Sequence, residues 1–251
     1  MSDYNDQTIW IVGASSGIGA ELAKCLASRG ARLVLSARRI EALETLQQEL
    51  GSEQHSVLAL DVADSEAVVR ATQQIEQQVG QIDRVIFMAA IYQPTGVNKM
   101  DLAFTEQLLR VNILGAMSIS QAALPILKRA KRGQLALCAS VAGYMGLAHG
   151  QPYSASKAAV INFAQSLYAE VSDEVDIKLI NPGFVRTPMT DKNKFDMPFC
   201  LEPEVAARAI ADGLLKKRFE IHFPRVFTCS LKAISVLPYW LQLPILKRFR
   251  P

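Results

Sequence analysis

A tyrosine and a lysine four residues apart, in Tyr153-Ser154-Ala155-Ser156-Lys157, are well suited to moving a proton. On a helix, residues four apart share a face, roughly 6 Å apart along the axis. A free tyrosine titrates near pH ~10, and a neighbouring ammonium favours the phenolate and lowers that value. Such a pair can act as general acid in reducing a carbonyl, or as general base in oxidising an alcohol. The same spacing also occurs on many helices as a plain surface pair, so its meaning comes from its companions. Ser140 lies upstream, at the end of an apolar run that reads as a strand. Asn112 lies within Val111-Asn112-Ile113-Leu114-Gly115, an apolar helical stretch where an amide is costly unless it is hydrogen-bonded. Its plainer reading, capping a local bulge by bonding backbone, is compatible with catalysis.

A second constellation opens the chain. Gly13-Ala14-Ser15-Ser16-Gly17-Ile18-Gly19 follows the first apolar run and precedes the first helical pattern. Glycines let backbone approach a pyrophosphate closely, and the helix start behind them offers free N–H groups and partial positive charge. A strand-to-helix turn without a ligand is the bland alternative, and the position favours the phosphate. The next strand ends Leu35-Ser36-Ala37-Arg38-Arg39, with no acid until Glu41. A carboxylate there would select NAD through the ribose hydroxyls, whereas guanidinium groups suit a 2′-phosphate. NADP(H) is therefore expected over NAD(H), unless both arginines are only a solvated helix start.

The G-x-x-x-G-x-G spacing, Asn112, Ser140, Y-x-x-x-K and Asn181-Pro182-Gly183-Phe184-Val185-Arg186-Thr187 come in order. Together they resemble the short-chain dehydrogenase/reductase family over roughly residues 7 to 223. The resemblance implies a Rossmann-type sheet of about seven strands binding the dinucleotide. Gly13, Ser15, Ser16, Gly17, Ile18 and Gly19 would line the pyrophosphate, Arg38 and Arg39 the ribose phosphate, and Asp61 and Val62 the adenine. Ala89, Pro182 and Gly183 would complete the cofactor site, Val185 would line the nicotinamide amide, and Thr187 would reach the carboxamide or the pyrophosphate. Ser140 would hold the substrate oxygen and Tyr153 would exchange its proton. Lys157 would lower the tyrosine pKa and bind the nicotinamide ribose, and Asn112 would hold a relay water. Two departures stand out. Val12 replaces a usual Thr, and Phe87-Met88-Ala89-Ala90 replaces N-N-A-G, so packing is expected to take over from side-chain hydrogen bonds there.

These side chains need a scaffold, and the hydropathy pattern supplies one. Ile9–Gly13, Ala31–Ala37, Ser56–Asp61, Val85–Ala90, Gln134–Ala139 and Asp176–Asn181 read as strands, mostly continuously apolar as buried parallel strands are. Between them, repeats such as Ile18, Leu22 and Leu26 mark amphipathic helices. Alternating strand and helix implies a doubly wound α/β domain with helices on both faces. Half of the 251 residues are apolar, which excludes disorder. No linker interrupts the pattern, so residues 1–223 form one catalytic domain and 224–251 a tail.

The formal charge is +3, too small for a nucleic-acid binder, and it sits in the tail: residues 221–251 hold five bases and no acid. Four scattered cysteines, an acidic N-terminus and no apolar run beyond the eight residues of Val85–Tyr92 suggest a cytoplasmic protein with free thiols. His55, His149 and His222 lack partners at metal-ligand spacing, so no metal is expected. Leu231, Ile234, Leu237, Leu241 and Ile245 form a stripe beside Lys232, Lys247, Arg248 and Arg250, and Pro224, Pro238 and Pro244 should break any long helix. Two short helices could lie on a membrane surface, with Tyr239 and Trp240 at the interface; alternatively the stripe caps the substrate cleft or packs on a second subunit. The helices Phe104–Leu127 and Tyr153–Ala169 are apolar enough that Leu108, Met117, Phe163 and Leu167 cannot all face the sheet. A homodimer or homotetramer is expected.

The loop from Asp191 to Leu201, with Phe195, Met197, Pro198 and Phe199, and the stretch Tyr144 to Leu147 point to an apolar substrate face. The expected activity is hydride transfer between NADP(H) and a 3-oxoacyl-like or steroid-like carbonyl, in the reducing direction. Alcohol oxidation on the same fold is a second reading, and a sensor or scaffold that binds NADP without turnover is a third.

Overall fold

A computed structural model describes residues 3–51, 54–131, 133–193 and 196–248. Among the described residues are seven strands: β1 (Thr8–Val12), β2 (Arg32–Ala37), β3 (Ser56–Ala59), β4 (Arg84–Phe87), β5 (Gln134–Cys138), β6 (Asp176–Pro182) and β7 (Glu220–Phe223). They pair in parallel in the order β3-β2-β1-β4-β5-β6-β7. The helices α1 (Gly17–Ser28), α2 (Ile40–Leu50) and α7 (Pro203–Leu214) build one core with the sheet. The opposite core is built by α3 (Ser65–Val79), α5 (Gly115–Arg129) and α6 (Tyr153–Val171), and α4 (Leu102–Leu109) precedes α5 in the chain. After β7 follow α8 (Arg225–Ser235) and α9 (Tyr239–Arg248).

Every residue of β1, β4 and β5 is buried, because each strand is covered on both faces. Strand order reverses between β1 and β4, so their C-terminal ends splay apart and open a crevice. Local chemistry fixes helix starts near it. Asp64 Oδ1 accepts from the Ala67 N–H at 3.0 Å, and Asp101 Oδ1 accepts from Ala103 at 2.9 Å and Phe104 at 3.3 Å.

The doubly wound single sheet is the architecture read from the sequence. The elements differ at their edges. The apolar runs continue past β1, β3 and β4 into loops, so Gly13, Leu60, Asp61 and Met88 to Ala90 lie beyond the ladder. Asp61 and Val62 therefore sit in the turn after β3, where Asp61 Oδ1 accepts from the Ala63 N–H at 3.0 Å. The helix expected over Phe104–Leu127 is divided by a π-helical turn, Arg110–Leu114. Pro238 separates the two tail helices, but Pro244 does not end α9. Of the four apolar residues weighed for an outer layer, Leu108 and Leu167 are buried, Phe163 packs partly on the core, and Met117 is exposed. The stretch Leu102–Arg129 is long and apolar enough to cross a membrane, yet half of its most apolar eighteen residues are buried in this fold.

Both sequence departures have a packing account. Phe87 is fully buried in the α3–α6 core, and Met88 packs on the other. Val12 leaves the first turn without a threonine hydroxyl. The turn is held instead by backbone, with the Gly13 and Ala14 N–H groups donating to the Ser36 carbonyl at 2.7 and 3.2 Å.

Candidate active site

A cleft of about 570 Å³ opens at the C-terminal ends of β1, β2, β4 and β5, within the size range of small-molecule sites. Its floor is the turn from Gly13 to Gly19. Gly13 has φ +99°, and a Cβ there would lie 2.5 Å from the Ala89 nitrogen. A Cβ on Gly19 would collide with the Gly13 carbonyl. The turn is thus open because these positions lack side chains. Ser16 precedes α1 without capping it, and the first turn of α1 carries no acid. Its N–H groups remain available to a phosphate, which fits a dinucleotide pyrophosphate.

At one end of the cleft stand Arg38 and Arg39, both exposed. Arg39 Nη2 donates to the carbonyl and the hydroxyl of Ser15, each at 3.2 Å, which folds the guanidinium over the glycine turn. Every residue expected at the cofactor lines the same cleft, including Asp61, Val62, Ala89, Pro182, Gly183, Val185 and Thr187.

Ser140, Tyr153 and Lys157 line the other end. Ser140 follows β5, and its Oγ accepts from the Ala142 N–H at 3.1 Å. Tyr153 and Lys157 project from the first turns of α6, with the Lys157 Nζ 5.5 Å from the tyrosine ring centre. Lys157 is fully buried, and its Nζ donates to the Cys138 carbonyl at 2.8 Å. Loss of water drives the electrostatics here. It raises the Tyr153 pKa above the ordinary phenol value, with Cys138 and Tyr92 adding to the rise and a hydrogen bond from Ser140 opposing it. It lowers the Lys157 pKa. The expected lowering of the phenol by the ammonium is not what these residues produce: desolvation dominates at Tyr153, and the Lys157 Nζ is directed to the Cys138 carbonyl.

Asn112 stands behind the cleft rather than in it, while its neighbour Val111 lines it. The amide is fully buried. Its Oδ1 accepts from the Ile91 N–H at 2.8 Å, and its Nδ2 donates to the Ile91 carbonyl and to Ser156 Oγ, both at 3.1 Å. No side-chain donor is left for a relay water; the amide ties the π-turn to the loop after β4 and to α6.

The substrate side differs from the sequence reading. Tyr144, Met145, Gly146, Leu147, Met197, Pro198 and Phe199 do not line this cleft, and Phe195 lies outside the described residues. Tyr144 instead donates to Glu220 Oε1 at 2.7 Å. Two contributors escaped the sequence. Cys138 holds Lys157 through a carbonyl, which no side-chain pattern encodes. Tyr92 packs edge-on against Tyr153, ring centres 4.8 Å apart, and donates to Asn193 Oδ1 at 2.6 Å. Its one sequence signal is that it ends the apolar run after β4.

Comparison with known proteins agrees with this geometry. The short chain dehydrogenase family model matches residues 7–197. An uncharacterized oxidoreductase of Myxococcus xanthus is 32% identical over 241 residues, covering 95% of both chains. The 3-oxoacyl-[acyl-carrier-protein] reductase of Bos taurus is 31% identical over 186 residues, covering 74% of this chain and 78% of its own. Among solved structures, a short chain dehydrogenase of Shigella flexneri 2a complexed with NADP superposes with a TM-score of 0.79 at 26% identity, covering 87% of this chain and 97% of that one.

Proposed function

The chain belongs to the short chain dehydrogenase family and is an oxidoreductase of that type, and from this premise we propose an NADP(H)-preferring reductase of apolar ketones. One observation carries the reading: a single cleft joins two guanidinium groups and an uncapped helix start at one end to Ser140, Tyr153 and Lys157 at the other. When bound, the nicotinamide supplies the hydride. The residues of this chain do the rest. Ser140 hydrogen-bonds the carbonyl oxygen, and Tyr153 delivers its proton to that oxygen as negative charge builds. Lys157, anchored on the Cys138 carbonyl, holds the nicotinamide ribose and the proton path behind the phenol. Asn112 keeps Ile91 and Ser156 in register with them. Val185 and Thr187 would face the carboxamide, and Asp61 and Val62 the adenine.

The preference for NADP rests on Arg38 and Arg39 with no acid before Glu41, and the NADP complex of the Shigella neighbour supports it. Apolar lining from Met88, Ile91 and Met189 suits a 3-oxoacyl-like or steroid-like substrate, and the bovine relative acts in that chemistry by name. The four free cysteines suit a reducing, cytoplasmic compartment, where reduction is the favoured direction. Leu114 of the π-turn and Met117 of α5, both exposed, support a homodimer through the helices that hold Asn112 and Tyr153.

Replacing Tyr153 with Phe tests the chemistry. Turnover of any accepted ketone should fall about a hundredfold or more, while a fluorescence titration still shows NADPH binding. NADPH should bind at least about tenfold more tightly than NADH, as charge-assisted hydrogen bonds to a phosphate require. Undiminished turnover in the variant would remove Tyr153 from the mechanism, and binding without turnover in the parent protein would make it a sensor.

A further inference from the structure

The last two helices leave an apolar face uncovered among the described residues. Helix α8 turns Thr228 and Leu231 inward, where both are buried, and Thr228 Oγ1 meets His222 Nδ1 at 2.6 Å. Gln242 fixes α9, donating from Nε2 to the Ile234 and Ser235 carbonyls, both at 3.2 Å. This docking points Val236, Tyr239 and Trp240 outward, 81%, 76% and 72% exposed. A contiguous apolar surface rimmed by charge marks an interaction site. The two helices carry charge of one sign: no Asp or Glu follows Glu220, and Arg225, Lys247 and Arg248 are exposed. Lys232 is paired with Glu220, and Arg250 lies outside the described residues.

The first turn of α8 also reaches the active-site cleft. Phe227 of α8 lies 5.6 Å from Phe184 and 5.8 Å from Phe199, ring centre to ring centre. A Cβ on Gly183, which lines the cleft, would lie 3.1 Å from Phe227 Cδ1. Apolar contact thus runs from the nicotinamide end of the cleft through Phe227 to the exposed ring of Phe199.

We propose that α8 and α9 rest on an anionic bilayer surface and that the cleft takes its carbonyl substrate, an apolar long-chain ketone, from that bilayer. This deepens the reductase reading and rests on it. Charge complementarity selects the lipid. A second copy would bring two acid-free basic faces together, whereas anionic headgroups neutralise the bases while Tyr239 and Trp240 enter the interface. The face does not line the cleft, so it is no cap on it.

Co-sedimentation of the full chain with vesicles tests this. Binding is expected to phosphatidylcholine vesicles containing phosphatidylglycerol, at least tenfold above phosphatidylcholine alone, and to weaken as salt rises. Tryptophan emission should shift to the blue, a report from Trp240 because Trp10 is fully buried. Reduction of a long-chain methyl ketone held in those vesicles should exceed that of the same ketone in detergent. The variant carrying Val236→Ser and Trp240→Ser should lose both effects while keeping NADPH affinity and turnover of a short water-soluble ketone. Equal binding to both vesicle types, or to neither, would overturn the proposal, as would a variant that only changes oligomeric state. Binding without enhanced turnover would overturn the substrate assignment, and binding by a chain that reduces no ketone would instead overturn the reductase reading.

Discussion

Lys157 and Tyr153 illustrate how far two residues can be read from their spacing. Their shared helix face and adjacency follow from four-residue separation, and the structure places them as expected at one end of the cleft. Their protonation does not follow, because it depends on desolvation and on a backbone carbonyl, Cys138, that any residue could have supplied. The consequence can be measured. Reduction needs the phenol protonated, and a pKa raised above the ordinary value keeps the proton on Tyr153 through neutral and mildly alkaline pH. The kcat/KM for reduction should therefore stay level across that range and decline only where the phenol ionises. Oxidation needs the phenolate, so its kcat/KM should rise about tenfold per pH unit over the same range. Profiles in both directions check this, and a reduction plateau ending near neutrality would contradict it. Asn112 makes the same point differently. Its costly burial in an apolar helix announced a hydrogen-bonded role, but only the fold shows that Ile91 and Ser156 use up its donors.

Among the elements, α8 depends on a polar clasp rather than on its apolar stripe alone. Glu220 Oε1 accepts from Tyr144 and from Asn181 Nδ2, each at 2.7 Å, and its other oxygen pairs with Lys232 of α8. Burial alone would raise the Glu220 pKa, but these three hydrogen bonds prevail and hold it below the ordinary 4.5. A depressed carboxylate pKa contributes stability that is present above the unfolded value and lost as pH falls through the folded one. Replacing Glu220 with Gln should cost about 2 kcal/mol at neutral pH, a fall in melting temperature of about 4–8 °C. The difference from the parent chain should close in acid below the ordinary carboxylate value; thermal melts at pH 7 and in acid decide it, and a constant difference would sink the idea. The clasp was illegible in the sequence because its members lie far apart in the chain. The strands were legible because burial on both faces makes them continuously apolar. Their ends were not, since hydropathy continues through Leu60 and Met88 into loops whose side chains pack without a ladder. The π-turn was hinted at only by Asn112, whose amide within an apolar helix suggested a local bulge, because most of the residues around it are apolar.

For the molecule as a whole, the position of the π-turn would link the proposed dimer to catalysis. Arg110–Leu114 presents Val111 to the cleft and buries Asn112, while Leu114 and, three residues on, Met117 remain exposed on the far side. Helical spacing of three puts Leu114 and Met117 on one face, which is the face proposed for the dimer. A twofold contact there would press on the helix that holds Ile91 and Ser156, whereas α1, which follows the Gly13–Gly19 turn, packs on the other face of the sheet. Replacing Met117 with Asp would set two like charges against each other across the axis, which costs several kcal/mol. Dimer dissociation should therefore strengthen by about a hundredfold or more, read by analytical ultracentrifugation. Because the support for Asn112 is lost while the start of α1 and the two arginines keep their places, kcat should fall by more than NADPH affinity does. A variant that remains dimeric would place the interface elsewhere. A monomer with full kcat would show that the π-turn needs no partner to hold its shape.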